Sequence, residues 1–163
     1  MLEEKIEKYI NEKFKPIYAI SMIYPTYLIG GSIIDILLDN EPRDLDFVIL
    51  SHDSNTIDEY LQKFIGKFQL NYKLNHFNGY KIIYNDYEID LWHTKDLLSS
   101  IEYNADGILY DIENKNLISI SFDDYLKNGP KRINNTKDNN NKSNTRYLKL
   151  ERKYNELKKR GLC

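Results

Sequence analysis

The chain opens with an apolar residue at every fourth position, Leu2, Ile6, Ile10 and Phe14, separated mostly by charged residues. That spacing places one apolar stripe along a helix over residues 2–14. Pro16 and Pro25 bracket a short connector. Residues 26–29 (TYLI) are apolar and β-prone, Gly30-Gly31-Ser32 interrupts them, and a second apolar run extends from Ile33 to Leu38. Ser32 and Asp35 have the S-x-x-D spacing of a capping box, which predicts a helix starting there and stopping near Asn40-Glu41-Pro42. Residues 44–50 (DLDFVIL) alternate and then turn wholly apolar, the pattern of a strand entering a core. Thr56 and Glu59 suit the start of a third helix, with Ile57, Leu61, Phe64 and Ile65 facing inward.

Three strand-like runs follow, at 67–75, 79–84 and 86–92. Asn85-Asp86 suits a tight turn between the last two, because both residues tolerate left-handed backbone angles. A short helix is expected around 94–102, then a hairpin pairing 107–112 with 117–121. Residues 128–145 are polar and Asn-rich, the composition of a loop or linker. Beyond them, Tyr147, Leu150, Tyr154 and Leu157 form one stripe of a final helix, and Arg146, Lys149 and Lys153 lie on a separate face. There is no internal repeat. This order predicts an α+β fold, with a small mixed or antiparallel sheet, helices packed on it and a basic C-terminal helix. The expected division is a head at 1–126, a polar linker at 127–145 and the helix at 146–163.

Length and composition agree with one globular domain: 163 residues, 41% hydrophobic and 29% charged. The one cysteine, Cys163, is the last residue, and no Cys/His cluster has zinc-ligand spacing, so a reducing compartment is expected. No apolar run is long enough to span a bilayer, and the amphipathic, acidic N-terminus is unlike a signal peptide. The expected location is cytoplasmic, with no membrane partner. Charge changes the picture more. From Lys127 onward lie 12 of the 23 basic residues but only 3 of the 25 acidic ones, leaving 11 basic and 22 acidic groups before it, a net of −11. An acidic head can offer carboxylates to metal ions, and a basic tail can meet phosphates.

Asp44 and Asp46 stand two apart on an expected strand, so both point to one side, with Leu45 and Phe47 opposite. Two aligned carboxylates repel unless a cation lies between them, and such a pair can hold a divalent ion beside a triphosphate. Upstream, a strand followed by Gly-Gly-Ser and a helix start offers backbone N–H groups to an anion. Asp90, with Ile89 and Leu91 opposite, supplies a third carboxylate for a nucleotidyl transfer, near the attacking hydroxyl. Glu88 shares its face and competes for that role; motif position favours Asp90. His52, His76 and His93 lack metal-ligand spacing. Trp92 and Phe77 read as core or sheet-face aromatics, Asp35 as a cap or salt-bridge residue, and Asp106 and Asp111 have no assigned role.

Residues 27–50, YLIGGSIIDILLDNEPRDLDFVIL, resemble the signature of the DNA polymerase β superfamily of nucleotidyltransferases. More narrowly they are similar to the head domain of class II CCA-adding enzymes and bacterial poly(A) polymerases. There a Gly-Gly turn, a helix with an Arg-Asp pair and an Asp-x-Asp strand follow in this order. Residues 102–118, EYNADGILYDIENKNLI, resemble that family's Asn-Ala segment and following hairpin, and 132–135 and 146–155 its Arg-bearing neck helices. The resemblance implies a polymerase β-like nucleotidyltransferase fold. It implies triphosphate contacts at Gly30, Gly31 and Ser32, with Asp44, Asp46 and Asp90 as a catalytic and metal-binding triad. It also implies that Arg146, with Arg132 as a second candidate, reaches phosphate or the acceptor strand.

Two departures stand out. The family's helix Arg is Ile34 here, so either Arg43 or the basic tail substitutes near the phosphates or nucleotide affinity is lower. The Glu-Asp-x-x-Arg element that reads the incoming base has no clear match, and no body or tail domain remains to hold a tRNA. The expected activity is transfer of a nucleoside monophosphate from an NTP to an acceptor hydroxyl, releasing pyrophosphate and using two Mg2+ ions or Mn2+ in their place. The favoured acceptor is an RNA 3′ end, met through the basic C-terminal region; a protein or small-molecule hydroxyl is an alternative. The competing expectation is a non-catalytic module that binds nucleotide or RNA, or regulates a protein partner.

Overall fold

The computed structural model describes residues 1–75, 79–134 and 140–163. Helices α1 (Leu2–Lys13) and α2 (Ile17–Ser21) lead into β1 (Thr26–Ile29), α3 (Gly31–Leu37), β2 (Asp44–Leu50) and α4 (Ser54–Lys67). Strands β3 (Asn71–Leu74), β4 (Tyr80–Tyr84) and β5 (Tyr87–Thr94) follow, then two 3-10 turns (Leu97–Ser100 and Asn104–Asp106). Strands β6 (Ile108–Asp111) and β7 (Asn116–Ser119) precede α5 (Phe122–Asn128) and α6 (Asn140–Lys159).

The strands form one sheet in the order β3-β4-β5-β2-β1-β6-β7. Among the described residues only β2 and β5 pair in parallel; every other neighbouring pair is antiparallel. Mixed pairing follows from connectivity, because β2 and β5 are joined through α4 and the β3-β4 hairpin, which carries the chain back to the starting edge. One sheet face carries Leu28, Leu45, Phe47, Ile49, Ile82, Ile89 and Leu91, all fully buried. Ile6 and Ile10 of the first helix and Phe14, its C-cap, join Ile57, Leu61, Phe64 and Ile65 of α4 in the same cluster. Phe14 sits at its centre, with ring centroids 6.1 Å from Phe47, 6.3 Å from Phe64 and 5.3 Å from Tyr84. The opposite face holds a much smaller apolar group, Ile29, Val48 and Leu109, with Tyr27, Trp92, Leu97 and Ile118 partly buried against it. That face carries the candidate site residues Asp44, Asp46 and Asp90.

Several local expectations change. Gly30, not Ser32, is the N-cap of α3. The α4 helix starts two residues before Thr56, because the Asp53 carboxylate accepts from the Asn55 and Thr56 N–H groups. The run at 67–75 is strand only over Asn71–Leu74, since α4 continues to Lys67. The helix expected at 94–102 is a single 3-10 turn. Residues 122–128, not anticipated as helix, form α5, and α6 begins at Asn140, inside the polar stretch. Asn85 and Asp86 do form the tight turn, at φ 50° and 65°. The C-terminal helix docks through Leu150 and Leu157, both buried, and the Tyr125 hydroxyl donates to the Leu150 carbonyl at 2.7 Å.

Candidate active site

The parallel pairing of β2 with β5 sets Asp46 directly opposite Asp90, and Asp44 opposite Glu88. Because Leu45, Phe47, Ile89 and Leu91 are locked into the core, strand alternation turns all four acids to the polar face. Carboxylate oxygens of Asp44, Asp46 and Asp90 lie within 4.8 Å of one another. Glu88 stands outside that group and instead approaches Lys81 at 3.8 Å. Burial, then the charges of Asp44 and Asp90, push the Asp46 carboxyl up to about 8. Asp44 is raised too, by burial first and then by Asp90 and Glu88. Three mutually repelling carboxylates offering only hard oxygen donors fit a hard divalent cation such as Mg2+ or Mn2+.

Beside the triad, β1 ends at Ile29 and the chain turns through Gly30 at φ 83° and ψ −141°, a conformation that side-chain-bearing residues rarely adopt. The α3 helix begins at once, bringing the Gly30–Ser32 backbone to the cleft. The Ser32 hydroxyl is buried and has no hydrogen-bond partner among the described residues. Asp35 forms an ion pair rather than a cap, accepting from Lys153 of α6 at 2.8 Å. A Cβ on Gly31 would lie 3.8 Å from that Lys153 ammonium, so the lysine stands over the turn. Ile34 is wholly buried in the core. An arginine there could not reach the cleft without abandoning the helix packing.

Asp44, Asp46, the turn and α6 line a cleft of about 450 Å³, with Arg43, Lys149, Lys153 and Arg146 among its other lining residues. Arg146 is not a free cation there. It donates to Asp106 and, at 3.3 Å, to Glu102, whose second oxygen lies 3.5 Å from Arg132. Glu102 and Asp106 are 7% and 5% exposed, so this network is largely withdrawn from water. Burial raises the Asp106 carboxyl, against the opposing charge of Arg146. Asn104, fully buried, holds the adjoining segments: its amide donates to Asp124 at 2.7 Å and to the Gly129 carbonyl at 3.0 Å, and its oxygen accepts from Lys131 N–H at 2.9 Å.

A second cleft of about 520 Å³ adjoins the first and shares Asp46, Trp92 and Ser100 with it; Asp90 lines this second cleft and not the first. Trp92 is thus a sheet-face aromatic at the open face. His93 pairs with Asp58 at 3.0 Å and His52 is exposed. His76 and Phe77, like Lys137 of the tail, lie outside the described residues. Sequence reasoning missed Glu102, Asp106, Lys81 and the Lys153–Asp35 pair. Only the i, i+4 relation of Glu102 to Asp106, facing a basic helix, could have pointed to the first two.

No protein-family model matches the chain, and no curated protein matches it by sequence. Solved structures do match, and they place its fold among the nucleotidyltransferase folds of CCA-adding enzymes, as the sequence motifs imply. One is a tRNA-processing enzyme in its apo form, with a TM-score of 0.55 and 21% identity over 76% of this chain. Another is a tRNA nucleotidyltransferase complexed with a primer tRNA and an incoming ATP analog, at TM-score 0.52 and 20% identity over 69% of this chain. A third, a tRNA-processing enzyme with CTP, has a TM-score of 0.53 and 18% identity, again over 69%. The matches span 35%, 36% and 33% of those proteins, so this chain corresponds to about a third of their length.

Proposed function

We propose that the protein is a divalent-metal-dependent nucleotidyltransferase that moves a nucleoside monophosphate from an NTP to an acceptor hydroxyl, with an RNA 3′ end as the favoured acceptor. The observation that carries this reading is the clustering of Asp44, Asp46 and Asp90 within 4.8 Å, with Asp44 and Asp46 in one cleft with the Gly30–Ser32 turn and Asp90 in the adjoining cleft that shares Asp46. Asp44, Asp46 and Asp90 would hold Mg2+, which supplies charge neutralisation for the entering and leaving oxygens when bound.

The chain's own groups do the rest. Backbone N–H groups of the turn and the unpartnered Ser32 hydroxyl donate to phosphate oxygens. Lys153, Lys149 and Arg43 bring positive charge to the same wall, in place of the arginine that position 34 lacks. Asp90 faces the side from which the acceptor arrives and takes the proton of its hydroxyl. The acceptor oxygen bonds to the α-phosphorus as the bond from that phosphorus to the bridging β-phosphate oxygen breaks, and pyrophosphate leaves. Arg146 acts one step back, tying α6 to the head so that Lys149 and Lys153 stay over the turn.

The test incubates the protein with Mg2+, each labelled NTP and total RNA, beside an Asp44→Ala/Asp46→Ala variant. Label reaching RNA with the wild type alone supports the reading and identifies the nucleotide. Label on the protein itself moves the acceptor but keeps the chemistry. Metal-dependent NTP binding without any transfer supports a non-catalytic module and overturns the enzyme.

A further inference from the structure

On the polar face, three strand registers line up one straight row across four strands. Lys73 of β3 is opposite Lys81 of β4, Lys81 is opposite Asp90 of β5, and Asp90 is opposite Asp46 of β2. At about 4.8 Å per strand the row runs about 14 Å perpendicular to the strands, from the sheet edge to the triad. Lys73 is exposed. Lys81 meets Glu88 at 3.8 Å with both side chains about two-fifths exposed, and such a loose surface pair does little to hold the lysine. A groove over Lys73, Lys81 and Glu88 continues into the cleft of Asp44 and Asp46, which shares Lys81 and Glu88 with it.

The direction of the reaction gives this row a meaning. In-line transfer requires the acceptor oxygen to enter opposite the departing pyrophosphate. The Gly30–Ser32 turn lies at the end of β1, on one side of the aspartates in the sheet order, and β4 and β3 lie on the other. The pyrophosphate of an NTP held at the turn leaves toward β1, so the acceptor must come in across β5 and β4.

We propose, resting on the nucleotidyltransferase reading, that Lys81 and Lys73 form the track for a single-stranded nucleic acid acceptor, gripping its last backbone phosphates while its terminal hydroxyl lies at Asp90. The two lysines contribute nothing to holding the NTP. Their ammonium groups release counterions from the strand on binding, which makes the contact salt-dependent and indifferent to base sequence.

The test measures anisotropy of a fluorescein-labelled single-stranded oligoribonucleotide with a free 3′ hydroxyl, over a salt series with Mg2+ present. Wild type is compared with Lys73→Gln/Lys81→Gln and with Lys115→Gln, which removes an exposed lysine paired with Glu7 on the first helix. NTP binding is measured in parallel. The double variant is expected to bind RNA at least tenfold more weakly and to lose about 1.4 from the log–log salt slope, about 0.7 for each single-strand phosphate contact. Its NTP affinity stays within twofold of wild type, and Lys115→Gln changes neither. Unchanged RNA affinity in the double variant overturns the track, as does an equal fall in NTP affinity, which would give the lysines to the triphosphate. NTP binding by wild type without RNA binding overturns the track while leaving nucleotidyl transfer intact. Absence of metal-dependent NTP binding in wild type overturns the underlying reading itself.

Discussion

Asp46 and Asp90 face each other across the one parallel strand pair among the described residues, within a carboxylate cluster whose members repel. Burial and that repulsion hold the Asp46 carboxyl well above its ordinary value. A site built this way is unfavourable for the fold until a cation arrives, so activity and metal-free stability should move in opposite directions on substitution. Asp90→Asn is expected to lower kcat by roughly 10²–10⁴-fold, the usual range for losing a proton acceptor. Asp46→Asn should abolish transfer yet raise the metal-free melting temperature above pH 7, at about 2–4 °C per kcal/mol for a domain of this size. Paired activity and calorimetry measurements check both; a lower metal-free melting temperature for Asp46→Asn would contradict the repulsion argument.

The same cluster sets a pH dependence. Asp46 binds a proton more tightly in the folded chain, with its pKa moved from 3.8 to about 8. Between those values the folded state carries more protons than the unfolded state. Its contribution to stability is therefore fully present below about 4 and is lost as pH rises through about 8. Asp44 and Asp106, also raised, act with the same sign. Asp39, Asp53 and Asp124 are lowered, so their contributions disappear only as pH falls below the ordinary carboxylate range. Melting temperature in chelator should fall from pH 5 to pH 8, and saturating Mg2+ should flatten that slope. A chelator curve flat across this window would sink the prediction.

The triad and the turn were legible in the sequence because strand alternation is a local rule. Asp44 and Asp46 share a face whenever Leu45 and Phe47 are buried, and the same holds for Asp90 with Ile89 and Leu91. The helix boundaries were less legible because caps compete: Asp53 outbids Thr56 by accepting two N–H groups, and Gly30 ends the strand through its backbone angles rather than a side chain. What could not be read were contacts between distant segments. Arg146 was expected near phosphate, but Glu102 and Asp106 claim it, and nothing in spacing announces that a C-terminal helix returns over that segment. Position 34 shows the same limit. Its loss of a cation is visible in the sequence, while the arrival of Lys153 over Gly31 depends on how α6 docks.

Lys153 gives a prediction of its own. Its ammonium lies 2.8 Å from Asp35, with the two side chains 14% and 21% exposed, and it stands over the Gly30–Ser32 turn. Lys153→Ala should weaken NTP binding about tenfold, in line with about 1.5 kcal/mol for a hydrogen bond to a charged group, and should also lower stability by leaving Asp35 unpaired. Adding Asp35→Asn should restore the stability but not the affinity, which separates the two roles. Ile34→Arg should not rescue binding, because its side chain is wholly buried and a guanidinium there would be a costly unpaired charge. Isothermal titration with a non-hydrolysable NTP and thermal melting decide between these outcomes; recovery of affinity by Ile34→Arg would overturn this account.

Arg146 should behave differently from every cation in the cleft. Its two partners are buried, it lies 5.7 Å from the Tyr103 ring centroid, and it joins α6 to the segment that ends in the Asn104–Asp106 turn. Removing one partner of a buried ion pair costs about 3–5 kcal/mol; with the Arg146 side chain 38% exposed, about 2 kcal/mol is expected for Arg146→Ala. That corresponds to a melting temperature lower by about 4–8 °C. Arg146→Lys should recover little, since one ammonium cannot reproduce a planar fork that reaches Glu102 and Asp106 together. Activity should fall through loosening of α6, so lower temperature should restore much of it to Arg146→Ala. It should restore none to Asp90→Asn. A variant with wild-type melting and lost NTP binding would instead make Arg146 a direct phosphate contact.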